Sequence, residues 1–174
     1  MHYDRTSRVL HWLTVLLVLL MVPAGLIMTS VDSRAVQDRL FIFHKNAGAA
    51  MIILIVVRLA WRATHPAPAL PKSLPLAQRL AARGTHVALY LILIVMATSG
   101  YIRVRAGGFP IELVDTLGLP TFVPRDDELA KTAKAIHATA KFALIAFVAL
   151  HVAAAAHHGL VRRDGIFSRM WPPA

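Results

Sequence analysis

The chain has 174 residues, of which 57% are hydrophobic, and its mean hydropathy is +0.59. An ordinary soluble domain is about half apolar, so this composition favours a membrane protein. The formal net charge of +10 is not accompanied by any nucleic-acid-binding motif, and basic loops beside anionic lipid explain it better. Cysteine is absent, which excludes disulfides, thiolate-bound iron–sulfur clusters and covalent attachment of a c-type haem.

Four stretches are long and apolar enough to cross a bilayer, whose core of about 30 Å requires roughly 20 residues of helix. They cover residues 9–31, 40–61, 84–102 and 135–161. The first is far longer than the apolar region of a signal peptide, about 7 to 15 residues, so we expect it to be retained. The sequence therefore predicts an all-α membrane protein, a bundle of four transmembrane helices that forms one domain over residues 1–174.

The loops differ in charge. Lys and Arg dominate the amino terminus, residues 62–83 and residues 162–169, whereas acidic residues nearly balance them in the other loops. Positive loops are retained on the cytoplasmic side, which predicts that both termini are cytoplasmic. Prolines between residues 63 and 76 predict an extended cytoplasmic linker, and the outer segment 103–132 suits turns and a short surface helix.

Five histidines lie within or at the edge of these apolar helices, where ionisable residues are costly and rare: His11, His44, His86, His137 and His151. Fourteen residues separate His137 from His151, which corresponds to nearly four turns and about 21 Å along a helix axis. One face of the fourth helix therefore presents two imidazoles at two depths.

The predicted topology supplies a partner at each depth. It places His44 near the outer end with His137, and His11 near the cytoplasmic end with His151. Two imidazoles fill both axial positions of a haem iron, which favours electron transfer, whereas zinc requires three or four clustered ligands. The alternatives are histidines that hydrogen-bond neighbouring helices, or a histidine-containing transporter.

Three further polar residues lie near the predicted cytoplasmic end. His86 competes with His11 as a ligand, but helix three has no second histidine, so we expect it to contact a propionate or to pack. Arg58 follows His44 by fourteen residues on the same face, where it would neutralise a haem propionate or extend to the headgroups. For His158, beside basic residues at the end of helix four, interfacial solvation is the default interpretation.

Three segments resemble the bacterial cytochrome b561 family: R-V-L-H-W-L at 8–13, F-H-K-N-A-G at 43–48 and A-L-H-V-A-A-A-A-H-H at 149–158. The resemblance covers essentially the whole chain. It implies a protein of the bacterial inner membrane with two haems b, one held by His11 and His151 and the other by His44 and His137. These are the pairs predicted from depth.

The family includes a di-haem superoxide oxidase that takes electrons from superoxide outside and passes them to ubiquinone, and this sequence looks close to that member. Cations on the outer side would attract superoxide: Lys45, Lys131, Lys134, Arg103 and Arg105. The family comparison points to His158 for the quinone, with Lys72 and Arg58 as nearby candidates. The alternative is a haem relay subunit that exchanges electrons between quinone and a periplasmic protein docked on residues 103–132.

Overall fold

The computed structural model describes residues 2–71 and 73–171. Its long helices are α1 (Arg5–Ile27), α2 (Arg34–Thr64), α3 (Leu76–Ala106) and α5 (Asp127–Ala156), and a short helix, α4 (Glu112–Thr116), precedes α5. A π-helical segment (His157–Arg162) continues α5, and a 3-10 turn (Phe167–Arg169) follows. Each long helix has the length and hydropathy to cross a membrane, which confirms the predicted all-α integral membrane architecture.

The helices begin and end at different residues from the apolar stretches. Helix α1 already begins at Arg5, where the Asp4 carboxylate accepts a 2.8 Å hydrogen bond from the backbone N–H of Ser7, and it ends at Ile27 rather than at residue 31. Helix α5 begins well before residue 135 because Asp126 accepts a 2.9 Å bond from the N–H of Leu129. Such polar caps satisfy backbone donors outside the apolar core, which hydropathy alone does not detect.

The helices pack in sequence order: α1 on α2, α2 on α3, and α3 on α5. Between α5 and both α1 and α2, the described residues make little backbone contact, and near the α4 end a cavity lies between these helices. In the most apolar 18-residue stretch of each long helix, only 6 to 22% of the residues are buried inside the protein. The remaining apolar surface suits lipid, in which a helix satisfies its own backbone hydrogen bonds.

One end of the bundle, here called the terminal end, carries both terminal segments. The indole N–H of Trp12 donates a 2.9 Å hydrogen bond to the carbonyl of Met170, and the rings of Trp12 and Trp171 lie 5.3 Å apart. The backbone N–H of Tyr3 donates to the carbonyl of Arg169 at 3.2 Å. The carboxyl-terminal segment therefore covers the start of α1.

The opposite end, the α4 end, is closed by the short helix expected between residues 103 and 132. The Lys45 ammonium lies 2.6 Å from the Glu112 carboxylate, and the Asn46 side chain both donates to Glu112 and accepts from the N–H of Leu113. These bonds fix α4 against α2 at the level of His44.

Candidate functional site

At the α4 end, the imidazoles of His44 on α2 and His137 on α5 face each other. Their ring centroids are 6.1 Å apart and their planes meet at 83°. Two imidazoles that bind one iron from opposite sides through bonds of about 2 Å have centroids roughly 6 Å apart. The spacing of this pair therefore fits a shared iron.

At the terminal end three imidazoles meet. The rings of His11 and His151 are 6.3 Å apart, and those of His86 and His151 are 5.3 Å apart. His11 and His151 are half-buried, whereas His86 is exposed on the protein surface. The pairs expected from the sequence thus come together, and His86 contacts the second one from α3.

Main-chain carbonyls orient the α4-end pair. Nδ1 of His44 lies 3.1 Å from the carbonyl oxygen of Met21, and Nδ1 of His137 lies 2.9 Å from that of Met96. A carbonyl only accepts, so Nδ1 carries the proton of each ring and Nε2 keeps its lone pair. A metal-binding histidine normally has its other nitrogen bonded in this way.

The terminal-end pair has a charged neighbour instead. Arg58 is half-buried, and its guanidinium donates to Nδ1 of His11 at 3.1 Å, to the Thr14 hydroxyl at 2.8 Å and to the Tyr90 hydroxyl at 3.0 Å. Because a guanidinium only donates, the proton of the His11 ring sits on Nε2 in this arrangement. Nε2 of His11 would hold an iron only if the ring lost that proton, or if Arg58 moved away and the proton were carried on Nδ1 instead.

A largely apolar cavity contains the α4-end pair. It lies among α1, α2, α3 and α5. Its empty volume, with the space in its open mouth included, is about 1320 Å³. Among the described residues, no group of three or more His, Asp or Glu side chains, the three imidazoles of the terminal end included, has an arrangement that could hold a zinc ion. Two imidazoles in an apolar cavity are the surroundings that fit a b-type haem.

The five cations expected to attract superoxide have different environments. The Lys45 side chain is only 4% exposed and is paired with Glu112, and the Arg105 side chain is 7% exposed and paired with Asp115. The hydrogen bond from Arg105 lowers the pKa of the Asp115 carboxyl below its ordinary value. Both cations are therefore largely neutralised by a fixed carboxylate.

The other three are Arg103, Lys134 and Lys131. Arg103 and Lys134 line the cavity, together with Lys141, and within the described ranges none of these three forms an ion pair. Lys131 is exposed and does not line the cavity, and its ammonium lies 3.9 Å from the Glu128 carboxylate. Of the five expected cations, the two without an ion pair among the described residues, Arg103 and Lys134, thus both line the cavity.

At the terminal end, His158 has a carboxylate partner that the sequence analysis missed. Nδ1 of His158 lies 2.7 Å from the Asp164 carboxylate, and Nε of Arg162 lies 3.4 Å from it. Burial acts to raise the pKa of Asp164, but hydrogen bonds from His158 and from the N–H of Ile166 lower it overall. The only signal in the sequence was a single acid among basic residues. Lys72, the other quinone candidate, lies outside the described residues.

Known proteins are similar to this chain over almost its whole length. A family model described as prokaryotic cytochrome b561 matches residues 2–173. Cytochrome b561 homolog 2 of Escherichia coli is 30% identical over 175 residues, which cover 97% of this chain and 90% of that protein. A probable superoxide oxidase, CybB, of Yersinia pestis is 27% identical over 164 residues, covering 94% of this chain and 92% of the relative.

Proposed function

The chain belongs to the prokaryotic cytochrome b561 family, whose members are membrane electron-transfer proteins with haem b, and we propose on that premise that it oxidises superoxide and reduces ubiquinone. The observation that carries the proposal is the meeting of four histidines as two pairs, with centroids 6.1 and 6.3 Å apart, at the two ends of one bundle. The similarity to a probable superoxide oxidase supports the choice of substrate.

In this proposal each histidine pair holds one haem. His44 and His137 bind the α4-end haem, and His11 and His151 bind the terminal-end haem. A bis-histidine haem supplies one-electron transfer between ferric and ferrous iron without a vacant coordination position. The protein contributes the ligand orientation, the apolar walls and the charges around each pair.

We place the α4 end at the periplasmic side of the bacterial inner membrane and both termini in the cytoplasm. The basic terminal segments and the linker before α3 support this orientation, since short loops rich in Lys and Arg remain cytoplasmic. Superoxide then arrives at the end where Arg103 and Lys134 line the cavity. Their positive field attracts the anion, which leaves as oxygen after losing one electron.

Reduction of the quinone takes place at the terminal end in this scheme. Two superoxide ions lose one electron each to give two molecules of oxygen, and one ubiquinone gains both electrons and two protons to give ubiquinol. His158, held by Asp164, is the candidate hydrogen-bond donor to a quinone carbonyl and the candidate proton carrier. Lys72 is a second candidate, and Arg58 lies deeper, beside His11.

The direct test follows superoxide decay in purified protein with and without a short-chain ubiquinone. We expect rapid, quinone-dependent loss of superoxide, with ubiquinol formed at half the molar amount of superoxide consumed. The matched control is the His137→Ala/His151→Ala variant, which lacks one axial ligand of each pair. Decay no faster than in this control would refute the enzyme and leave the relay subunit, driven by a periplasmic protein partner, as the function.

The attraction of superoxide predicts a specific charge dependence. Lys134→Glu replaces an unpaired cation at the cavity with an anion, so oxidation at low salt should slow by about two- to tenfold. Added salt should reduce the difference, because it screens charges beyond about 8 to 10 Å. The rate is measured over a series of ionic strengths.

Lys131→Glu is the comparison for this variant, since Lys131 lies one turn earlier on α5 but outside the cavity lining. It carries the same change of charge, so its effect should be clearly smaller. Equal effects of both substitutions would mean that net charge matters and the cavity cations have no special part.

A further inference from the structure

Helix α1 packs closely against the ring of His44. The carbonyl of Met21 accepts the hydrogen bond of Nδ1 at 3.1 Å, and Gly25, one turn later, lies directly against the ring. A Cβ atom at Gly25 would be 3.1 Å from Cε1 and 3.5 Å from Nδ1 of His44. Carbon atoms in good contact are about 3.5 to 4.0 Å apart, so no side chain fits here without moving the ring.

Helix α3 provides the same arrangement for His137. The carbonyl of Met96 accepts from Nδ1 at 2.9 Å, and a Cβ atom at Gly100 would lie 3.1 Å from Cε1 and 3.3 Å from Nδ1. The buried hydroxyl of Ser99 lies 3.3 Å from the same Nδ1. The two histidines thus contact the same local pattern, M-V-P-A-G at 21–25 and M-A-T-S-G at 96–100.

We propose that these two Met-x-x-x-Gly segments are paired cradles that position the axial ligands of the α4-end haem. In each cradle the methionine carbonyl fixes the tautomer that leaves Nε2 free, and the glycine sets how far the ring can retreat from the iron. This inference rests on the proposed function, because it takes His44 and His137 as haem ligands. The two glycines are positioning residues that act through the imidazoles.

The size of the expected displacement supports this role. An added methyl group 3.1 Å from Cε1 must push the ring by several tenths of an ångström to reach ordinary contact. Metal–ligand distances vary by only about 0.2 Å in a well-formed site. The ring must therefore tilt or strain its bond to iron.

The terminal-end pair lacks such a cradle. His11 has the Arg58 guanidinium at its Nδ1, and the closest contacts of the remaining described glycines include neither His11 nor His151. Substitutions in the cradles should therefore affect the α4-end haem and leave the terminal-end haem unchanged. That selectivity separates ligand positioning from a general role of glycine in helix packing.

The experiment uses the full-length Gly25→Ala and Gly100→Ala variants, purified from membranes supplied with haem. The readouts are the haem-to-protein ratio, the low-spin ferric signals in electron paramagnetic resonance and a redox titration of each haem. Signals are assigned to the α4 end by their absence in His44→Ala. We expect either variant to shift or lose the α4-end signal, with the haem content falling toward one per chain, while the terminal-end signal is unchanged.

Gly84→Ala is the matched control, since Gly84 lies on α3 like Gly100 and a Cβ atom there meets nothing within 4 Å. It should leave both signals unchanged. The cradle proposal is overturned if both alanine variants keep the native α4-end signal, or if both lose the two haems together, since the glycines would then support the fold as a whole. A native protein without two haems would instead refute the proposed function.

Discussion

Replacing either His44 or His137 with alanine is expected to lower the haem content from two per chain to about one and to remove the same haem in both variants. Their rings are 6.1 Å apart, and under the proposed ligation they bind the same iron from opposite sides. When one of two axial imidazoles is removed, the protein binds the haem less tightly and the iron loses its low-spin state. Pyridine haemochrome assay gives the count, and spectra identify which haem is lost.

His65→Ala provides the control for histidine removal. The His65 ring stacks on Trp61 at 3.8 Å and takes no part in either pair, so this variant should keep both haems. Retention of both haems by His44→Ala, or a colourless native protein after expression with ample haem, would contradict the ligand assignment.

The terminal-end pair gives the second large effect, and its third imidazole makes the result informative. His11→Ala is expected to remove the terminal-end haem, whereas His86→Ala keeps it. The centroids of His11 and His151 are 6.3 Å apart, near the roughly 6 Å expected across an iron, while those of His86 and His151 are only 5.3 Å apart. The spectrum of each variant decides between them.

His151→Ala should match His11→Ala in this experiment, since both remove a ligand of the same iron. The opposite pattern, with the haem lost in His86→Ala and kept in His11→Ala, would make α3 the source of the ligand. In that case Arg58 would be bound to a histidine that has no iron.

The sequence was sufficient to predict the four helices and the histidine pairs. Hydropathy reports the cost of placing backbone and charge in lipid, which is large enough to dominate every other local signal. The loop charges indicate the direction in which each helix crosses the membrane. The position of a histidine along its helix then gives its depth in the membrane, so that His137 and His151 lie at two different depths. Their partners at matching depth then follow.

Side-chain partners that come from distant parts of the chain could not be predicted in the same way. Lys45 was counted with the outer cations, but it is buried and bound by Glu112, a residue of a loop helix whose position depends on tertiary packing. Asp164 was not recognised as the partner of His158 because the contact needs the π-helical segment and the turn after it. Charge can be counted from sequence, whereas neutralisation requires the fold.

The glycine contacts illustrate the same limit. Gly25 and Gly100 sit in apolar helices where small residues usually serve helix packing, and a shared pattern of five positions is too short to signify a repeat. The role of this pattern can be recognised only in the structure, where a histidine from another helix contacts each glycine.

Helix α5 carries one histidine of each pair, and it is the last of the four long helices in the chain. During synthesis, α1 and α2 therefore enter the membrane with His11 and His44 still lacking their partners. Under the proposed ligation, neither haem acquires its second axial bond until α5 has been inserted. Completion of the two cofactor sites is thus coupled to a single late step in biogenesis, so chains interrupted before α5 retain no fully ligated iron.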